Sequence, residues 1–313
     1  MNFDELVLGI DGGGTKTVAW LSKANGSSTD PIGCGTAGPS NPGVVGMSPA
    51  ITSLARAVDA AFSDAGLAPG LLAAACMAIS GTERNANRKA MIQWATDRSL
   101  ASIVQLVGDA EAVLAGGSRH GWGVALIAGT GSFAFGRDLA GFTVRVGGWG
   151  YLFGDEGSGH ALGAAGLRAA TQQADGRGPT TSLLPRLLSK FELTEPRELV
   201  TILYDGQTAS RTVLAELAPL VTAAAEDGDD VARQIASDIA ADLARLVTAT
   251  CSQLKLASSS YPLAIAGGVL CNSPLIRSCL ESSLAEHGFP PEEITLVEQP
   301  VQGAVELARR AIE

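Results

Sequence analysis

A glycine-rich segment near the start of the chain has the residue types that bind phosphate. Residues 11–17 read Asp-Gly-Gly-Gly-Thr-Lys-Thr. Successive backbone N–H groups in such a turn form a concave surface for anions, and the Thr15 hydroxyl adds a donor. Asp11, at the end of the preceding strand pattern, can hold Mg²⁺ directly or through water. Three consecutive glycines exceed what a hairpin needs, so the pattern favours phosphate binding over a plain turn.

The segment differs from two common nucleotide-binding motifs. Lys16 follows Thr15 where a P-loop requires glycine, and no P-loop frame fits these residues. Residues 33–38 do spell G-x-G-x-x-G, but Pro39 follows at once and no helix can open there. We therefore interpret residues 33–38 as unrelated to dinucleotide binding.

Two further glycine clusters lie later in the chain. Gly129-Thr130-Gly131-Ser132 joins two apolar runs, as the first cluster does, and starts 117 residues after Gly12. Two such hairpins facing each other across a cleft would hold a nucleotide triphosphate from both sides. Ala266-Gly267-Gly268-Val269 follows a short apolar strand pattern. It fits a backbone surface for a flat ring and a simple loop equally well.

Asp109 follows a buried strand pattern and starts the sequence Asp-Ala-Glu-Ala. Aspartate is a common helix N-cap. It is also a suitable general base at the carboxyl end of a strand, where α/β folds place their binding sites. The residues alone leave both interpretations open.

The segment from Gly147 to Gly159 combines six glycines, three aromatic residues and the acidic pair Asp155-Glu156. Adjacent acids point apart, unlike the spaced carboxyl pair of a glycoside hydrolase. Sugar hydroxyls require carboxylate acceptors and close approach of the backbone, so the segment fits a polyol site. A structural loop is the alternative.

Strand and helix patterns alternate around these clusters and predict an α/β fold. Strands are predicted at 6–10, 18–21, 73–79, 103–107, 124–128, 133–135 and 263–266, with helices at 49–65, 88–96 and 303–312 and a helix-rich segment at 159–255. The pattern restarts at Trp122. We predict two related domains, 1–118 and 119–313, with the last helix a candidate to pack back on the first domain.

Composition excludes several classes of protein. The chain has 313 residues and a net charge of −10, with 46% hydrophobic and 17% charged residues. Such a chain is an ordinary globular one, and its surface repels nucleic acid and anionic lipid. Five scattered cysteines without C-x-x-C suit a reducing cytosol, and three histidines without metal-ligand spacing argue against a zinc hydrolase. An acidic start and the lack of a long apolar run predict a cytoplasmic protein with no membrane partner.

Taken in order, these clusters resemble the BadF/BadG-type ATPase family, and within it most closely the N-acetylglucosamine kinases. The resemblance covers nearly the whole chain. It implies the actin-like ATPase and sugar kinase fold, an α/β fold in which two ribonuclease-H-like domains close on ATP and sugar in a cleft. It also implies Mg²⁺, an amino-sugar substrate phosphorylated on its 6-hydroxyl, and a homodimer.

The resemblance further implies a role for each matching residue. For ATP and its metal these residues are Gly12, Gly13, Gly14, Thr15 and Lys16 at the phosphates, Asp11 at Mg²⁺, Thr130 and Gly131 at phosphate from the second domain, and Gly267 and Gly268 beside the adenosine. For the sugar they are Asn41, Ser132, Gly148, Trp149, Gly150 and Asp155. Asp109 matches the catalytic aspartate of the family, which favours the general-base interpretation.

One position departs from the family pattern. Phe133 stands where the animal enzymes have a polar asparagine. The contact to an N-acetyl group is therefore open, and glucosamine is an alternative substrate. The family also includes activators of radical dehydratases with a cysteine-ligated iron–sulfur cluster. No cysteine flanks the second hairpin here and the sugar loop is present, so a kinase is favoured over an activator. A sugar-binding sensor that has lost turnover is a third alternative.

Overall fold

The computed structural model describes residues 5–25, 30–82, 84–204, 211–256 and 261–313, and over these ranges the chain forms ten strands and thirteen helices. The strands are β1 (Leu6–Gly12), β2 (Thr17–Lys23), β3 (Gly33–Ala37), β4 (Leu72–Ile79), β5 (Ala101–Val107), β6 (Gly123–Ala128), β7 (Ser132–Arg137), β8 (Thr143–Gly147), β9 (Pro262–Ala266) and β10 (Glu293–Leu296). The helices are α1 (Pro42–Val45), α2 (Met47–Asp64), α3 (Asn85–Asp97), α4 (Asp109–Gly117), α5 (Gly159–Ala174), α6 (Leu183–Lys190), α7 (Glu198–Tyr204), α8 (Arg211–Ala215), α9 (Ala218–Glu226), α10 (Asp230–Leu254), α11 (Gly268–Asn272), α12 (Pro274–Glu286) and α13 (Val301–Arg310).

Contacts divide the chain into two compact units. The first unit comprises Met1–Gly121 together with Gln299–Glu313, and the second comprises Trp122–Glu298. The boundary predicted between residues 118 and 119 lies close to this division. The sequence analysis placed α13 at the end of the second domain, as a candidate to pack back on the first, and the helix belongs to the first unit.

The first unit is built on a five-stranded sheet in the order β3-β2-β1-β4-β5. β1, β2 and β3 pair antiparallel, whereas β4 and β5 run parallel to β1. Helix α2 covers one face because its apolar residues recur at helical spacing, with Leu54, Val58 and Phe62 all buried. Helices α4 and α13 cover the other face.

α13 lies unusually close to the first sheet and to α4. A Cβ atom at Gly9 of β1 would lie 2.5 Å from the backbone nitrogen of Val305, and one at Gly303 would overlap the carbonyl of Ala112. Only glycine permits both approaches. The Arg309 side chain is buried and donates from Nε to the carbonyl oxygen of Lys23, 3.1 Å away. The helix is therefore an integral layer of this unit.

The second unit repeats the topology of the first. Its sheet has the order β10-β9-β6-β7-β8, with β6, β7 and β8 antiparallel and β9 and β10 parallel to β6. The 25-residue helix α10 packs on β6, β7 and β8. Each sheet thus opens with a hairpin whose tip is a glycine cluster, and the predicted duplicated α/β architecture is confirmed.

The sequence analysis did not predict three short strands at the edges of the sheets, β3, β8 and β10. β3 includes most of the G-x-G-x-x-G stretch. Cβ atoms at Gly33 and Gly35 would overlap the carbonyl oxygens of Ala61 and Ala57 in α2. These glycines therefore serve close packing of a strand against a helix. Among the residues that the structure describes, no helix has both the length and the apolar composition to cross a membrane.

Candidate active site

The first glycine cluster forms the tip of the β1–β2 hairpin. The N–H of Gly13 donates to the carbonyl of Lys16 at 3.0 Å, and the carbonyl of Gly13 accepts from the N–H groups of Ser40 and Asn41, both at 3.1 Å. Beneath the tip, the Thr17 hydroxyl donates to the carbonyl of Gly38 at 2.7 Å. These bonds fix the base of the tip and leave residues 14–16 exposed.

The three consecutive glycines differ in what surrounds them. A Cβ at Gly12 would overlap the Ser40 hydroxyl and lie 2.5 Å from Cδ1 of Ile79, so packing alone requires glycine there. At Gly13 and Gly14 the nearest atoms would lie at 3.8 and 3.6 Å, and neither glycine has a positive φ. The fold therefore does not itself require glycine at the last two positions. A bare backbone open to solvent is what close approach of a phosphate needs.

Two carboxylates of the first unit interact beside this tip. Asp11 lies near the end of β1, and Asp109 is the first residue of α4, separated from the end of β5 by Gly108 alone. The pKa of Asp11 is raised from 3.8 to about 7: burial is the largest cause, the nearby Asp109 charge acts in the same direction, and Lys16 opposes both. A divalent cation beside Asp11 would favour its ionised form, so the residues present fit a Mg²⁺ site.

The position of Asp109 resolves part of the question left by the sequence. Gly108, with extended backbone, is the N-cap of α4, and the Glu111 carboxylate accepts from the Gly108 N–H at 3.2 Å. Asp109 therefore does not serve as the N-cap. Its Oδ1 accepts from the N–H of the next residue, Ala110, at 3.0 Å. This bond holds the carboxylate at the N-terminal end of the helix, at the carboxyl edge of the sheet.

Asn41 is tied into the same edge of the first unit. As the N-cap of α1, its Oδ1 accepts from the N–H of Gly43 at 2.8 Å, and its Nδ2 donates to the Ser80 hydroxyl at 3.1 Å. Ser80 donates in turn to the carbonyl of Gly12 through its N–H, at 2.9 Å. Gly81 has φ +76°, and a Cβ there would overlap Asn41 Oδ1. The amide of Asn41 is thus oriented by bonds at both ends.

The second glycine cluster forms the tip of the β6–β7 hairpin in the second unit. The carbonyl of Gly129 accepts from the N–H of Gly159, at the start of α5, at 2.7 Å. The Ser132 hydroxyl donates to the carbonyl of Glu156 at 2.5 Å, and the Ser132 N–H donates to Asp155 Oδ1 at 3.3 Å. The hairpin and the loop that precedes α5 are therefore one hydrogen-bonded structure.

The loop from Gly147 to Gly159 contains one buried carboxylate, that of Asp155, and several exposed aromatic side chains. Asp155 is only 2% exposed and has φ +60°, an arrangement that costs of order 1 kcal/mol in a residue other than glycine. Gly148 and Gly150 also have positive φ. Between them Trp149 is 72% exposed, and Phe153 is 74% exposed. Strained backbone and exposed apolar side chains together are more typical of a binding loop than of a structural one.

The third glycine cluster lies against the second hairpin. Gly267 follows β9 with φ +96°, and a Cβ there would overlap the carbonyl of Ala128 and lie 2.8 Å from the nitrogen of Gly129. Gly268 begins α11 and is exposed. The cluster therefore forms a bare backbone surface beside the base of the hairpin, within the same unit.

The predicted site residues thus fall into two groups, one in each unit. The first unit brings together residues 11–16, Asn41 and Asp109. The second brings together Ser132, Gly148 and Asp155 through hydrogen bonds, with residues 130–131, 149–150 and 267–268 in the adjoining turns. Sequence reasoning missed Ser80, which orients Asn41. Its place directly after a buried parallel strand was the available signal.

Comparisons with known proteins identify the family to which the chain is similar. A model of the BadF/BadG/BcrA/BcrD ATPase family matches residues 8–308. The chain is 31% identical to an N-acetyl-D-glucosamine kinase of Dictyostelium discoideum over 97% of this chain and 98% of that protein. It is 30% identical to an N-acetylmuramic acid/N-acetylglucosamine kinase of Clostridium acetobutylicum over 85% of this chain and 86% of that protein.

A solved structure shows the same fold. It is a candidate N-acetylglucosamine kinase from Chromobacterium violaceum, with a TM-score of 0.76, 25% identity, and coverage of 98% of this chain and 100% of that one. The likeness, together with the two mixed five-stranded sheets, confirms the predicted class of two ribonuclease-H-like domains of the actin-like ATPase and sugar kinase type.

Proposed function

The chain belongs to the BadF/BadG/BcrA/BcrD ATPase family, and on this basis we propose that it is an ATP-dependent amino-sugar kinase that phosphorylates the 6-hydroxyl of N-acetylglucosamine. The relatives from Dictyostelium discoideum and Clostridium acetobutylicum, which are both named as kinases of this sugar, support the substrate class. The observation that carries the proposal is the edge of the first unit where Asp11 and Asp109 interact beside the open backbone of Gly13 and Gly14.

The residues of the first hairpin would bind the β- and γ-phosphates. The backbone of residues 12–15 would lie against the phosphates, with the N–H groups of Gly14 and Thr15, the Thr15 hydroxyl and the Lys16 ammonium as donors, and Thr130 and Gly131 would supply further ones. Asp11 would hold Mg²⁺, and a bound Mg²⁺ supplies positive charge that offsets the charge on the phosphate oxygens. Gly267 and Gly268 would border the adenosine. Phosphoryl transfer depends mainly on such positioning and electrostatics.

Asp109 would act as the general base. As the bond between the sugar oxygen and the γ-phosphorus forms, the bond from that phosphorus to the β–γ bridging oxygen breaks and ADP leaves, while the hydroxyl proton passes to the Asp109 carboxylate. The hydrogen bond from the Ala110 N–H to Oδ1 orients this carboxylate. The sugar would be held by Asn41 and by Ser132, Gly148, Trp149, Gly150 and Asp155, because oriented amides, buried carboxylates and bare backbone suit hydroxyl groups.

We extend the proposal to a homodimer in the cytoplasm that requires neither nucleic acid nor a membrane. The net charge of −10 supports the absence of polyanionic partners. Light scattering coupled to size-exclusion chromatography measures the dimer directly.

An ADP-release assay with a panel of sugars tests the function. We expect release that is stimulated by N-acetylglucosamine and that falls about 10²–10⁴-fold in turnover in Asp109→Asn, the typical contribution of a general base. ATP affinity stays nearly normal in this variant. Asp97→Asn, an exposed aspartate on α3 of the same unit, is the matched control and keeps full turnover. Near-normal turnover of Asp109→Asn would reject the assignment.

The same panel separates the alternatives. Preference for glucosamine would identify the free amino sugar as substrate, in line with the apolar Phe133. ATP hydrolysis that no sugar stimulates would favour an activator, and sugar binding without ADP release would favour a sensor.

A further inference from the structure

The turn that follows β4 links two parts of the candidate site in the first unit. The hydroxyl of Ser80 donates to the carbonyl of Gly12, 3.3 Å away, and accepts from Nδ2 of Asn41 at 3.1 Å. Gly12 lies at the base of the first hairpin tip, which we propose for the phosphates, and Asn41 is the residue of this unit that we propose for the sugar. A single hydroxyl therefore lies between a nucleotide-binding and a sugar-binding residue.

The direction of these hydrogen bonds follows from the groups available. The N–H of Gly43 can only donate, so the Asn41 atom that faces it at 2.8 Å is the carbonyl oxygen Oδ1. The other end of the amide, Nδ2, can only donate as well, so Ser80 Oγ must accept from it. The one hydrogen of the Ser80 hydroxyl is then directed to the carbonyl of Gly12. Hydrogen bonds in such a chain polarise and strengthen one another.

Ser80 also holds the first peptide group of the hairpin tip. The carbonyl of Gly12 accepts from the N–H of Ser80 at 2.9 Å as well as from its hydroxyl. The N–H of the same peptide group, on Gly13, donates to the carbonyl of Lys16 at 3.0 Å. The next carbonyl, that of Gly13, accepts from the N–H of Asn41 at 3.1 Å. The tip is thus held from below by the segment that carries Asn41 and by the turn that contains Ser80.

Thr82, in the same turn, shows a purely local use of a hydroxyl. Its Oγ1 donates to the carbonyl of Ile79 at 2.7 Å, and its side chain is buried. This bond closes the turn on itself. The Ser80 hydroxyl instead bonds Gly12 and Asn41, which lie 68 and 39 residues away in the sequence. Closure of the turn therefore does not account for the Ser80 hydroxyl.

We propose that Ser80 is a positioning residue that couples binding of the acceptor sugar to binding of ATP. A sugar hydroxyl bound to Asn41 restricts the amide, and the Ser80 hydroxyl passes this restriction to the Gly12 carbonyl, which orders the tip for the phosphates. By linkage, ATP bound at the tip raises the affinity for the sugar by the same factor. This inference rests on the proposed kinase function, and it assigns Ser80 no contact with either substrate.

Calorimetry with Mg²⁺ and the β,γ-imido analogue of ATP measures this coupling. The coupling factor is the Kd of the analogue alone divided by its Kd in the presence of saturating N-acetylglucosamine. We expect a factor of about 10 or more in the wild type. Ser80→Ala lowers the factor about 3- to 10-fold, the value of one hydrogen bond. The Kd of the analogue alone changes less than about 2-fold, because the N–H of residue 80 still holds the Gly12 carbonyl.

Two further variants separate positioning from a merely structural role. Ser80→Thr keeps the hydroxyl, so its coupling factor stays within about 2-fold of the wild-type value. Thr82→Val is the matched control, since it also replaces only a hydroxyl in this turn. It loses stability in urea unfolding as Ser80→Ala does, but its coupling factor stays at the wild-type value. Circular dichroism verifies that each variant folds.

ADP release by the wild type is measured first, so that the inference and the proposed function are tested apart. Where N-acetylglucosamine stimulates release, three results would show the inference wrong while the kinase function stands: a wild-type coupling factor of about 1, an unchanged factor in Ser80→Ala, or a factor lowered as much in Ser80→Thr or Thr82→Val as in Ser80→Ala. If the wild type phosphorylates no sugar, the proposed function itself is wrong and the inference falls with it.

Discussion

Replacing Asp11 with asparagine should stabilise the ligand-free protein, and the gain should grow with pH. The pKa of Asp11 in the folded protein, about 7, is above its ordinary value of 3.8 because the carboxyl is buried and close to Asp109. Between these two values the folded state binds more protons than the unfolded state, so the free energy of unfolding contributed by this group falls as pH rises. Asparagine is never charged, so the variant lacks this loss.

The size of the effect follows from the same two values. Each pKa unit corresponds to about 1.4 kcal/mol. At about pH 8.5 the free energy of unfolding of Asp11→Asn therefore exceeds that of the wild type by at most about 4 kcal/mol. The Asp11 residue keeps some solvent exposure, so screening makes both this figure and the change with pH upper limits. From about pH 5.5 to about pH 8.5 the advantage of Asp11→Asn should grow by about 2 kcal/mol, because the ionisation of native Asp11 is nearly complete at the higher pH.

Urea unfolding followed by circular dichroism, without nucleotide or Mg²⁺, measures this difference at both pH values. The second unit is the same in both proteins, so its contribution cancels. Asp97→Asn, the exposed control, should show no such pH dependence. In Asp109→Asn, with Asp11 unchanged, the pKa of Asp11 should be lower, because one cause of its increase is removed. The free energy of unfolding should therefore stop falling at a lower pH than in the wild type. An advantage of Asp11→Asn that is equal at both pH values would refute the reasoning.

Two further predictions concern the site residues. Asp155→Ala should raise KM for the sugar about 10-fold or more and leave KM for ATP within about 3-fold, as expected for one lost charge-assisted hydrogen bond. Steady-state kinetics with each substrate varied in turn measures both constants. A change in KM for ATP with an unchanged KM for the sugar would contradict the role. The free energy of unfolding of Gly14→Ala should lie within about 1 kcal/mol of the wild-type value, since the added methyl meets only Cγ2 of Val44 at 3.6 Å. ATP binding by this variant, measured by calorimetry, should nevertheless be about 10-fold weaker. Gly12→Ala, whose methyl would overlap the Ser40 hydroxyl, should instead lose about 2 kcal/mol or more in urea unfolding, and equal stability of the two variants would contradict the packing argument.

Local pattern was enough to predict the glycine-tipped hairpins and the main helices. β1, β2, β6 and β7 are apolar runs around a glycine cluster, and α2 has regular helical spacing. The edge strands were missed for a physical reason. β3 is Gly-Cys-Gly-Thr-Ala, which has little apolar alternation, because its glycines are dictated by the approach of α2 from another part of the chain.

The site itself was only partly accessible to sequence reasoning. Residue types identified Asp11 and Asp109 separately, but their interaction and the raised pKa depend on the order of strands in the sheet. Likewise, Phe133 was noticed only as a departure from a pattern. Its stacking with Arg145 follows from the register of β7 and β8, which no local signal sets.

The membership of α13 in the first unit sets an order of assembly during translation. All of Trp122–Glu298 leaves the ribosome before Gln299–Glu313 does, so the second unit has its full set of strands and helices while one face of β1 and β4 is covered only by α4. The unit that is synthesised first is therefore completed last. A nascent chain halted before α13 exposes Val7 and Ala74 to chaperones, and any fusion or truncation near the end of α13 acts on the hairpin at the opposite end of the sequence.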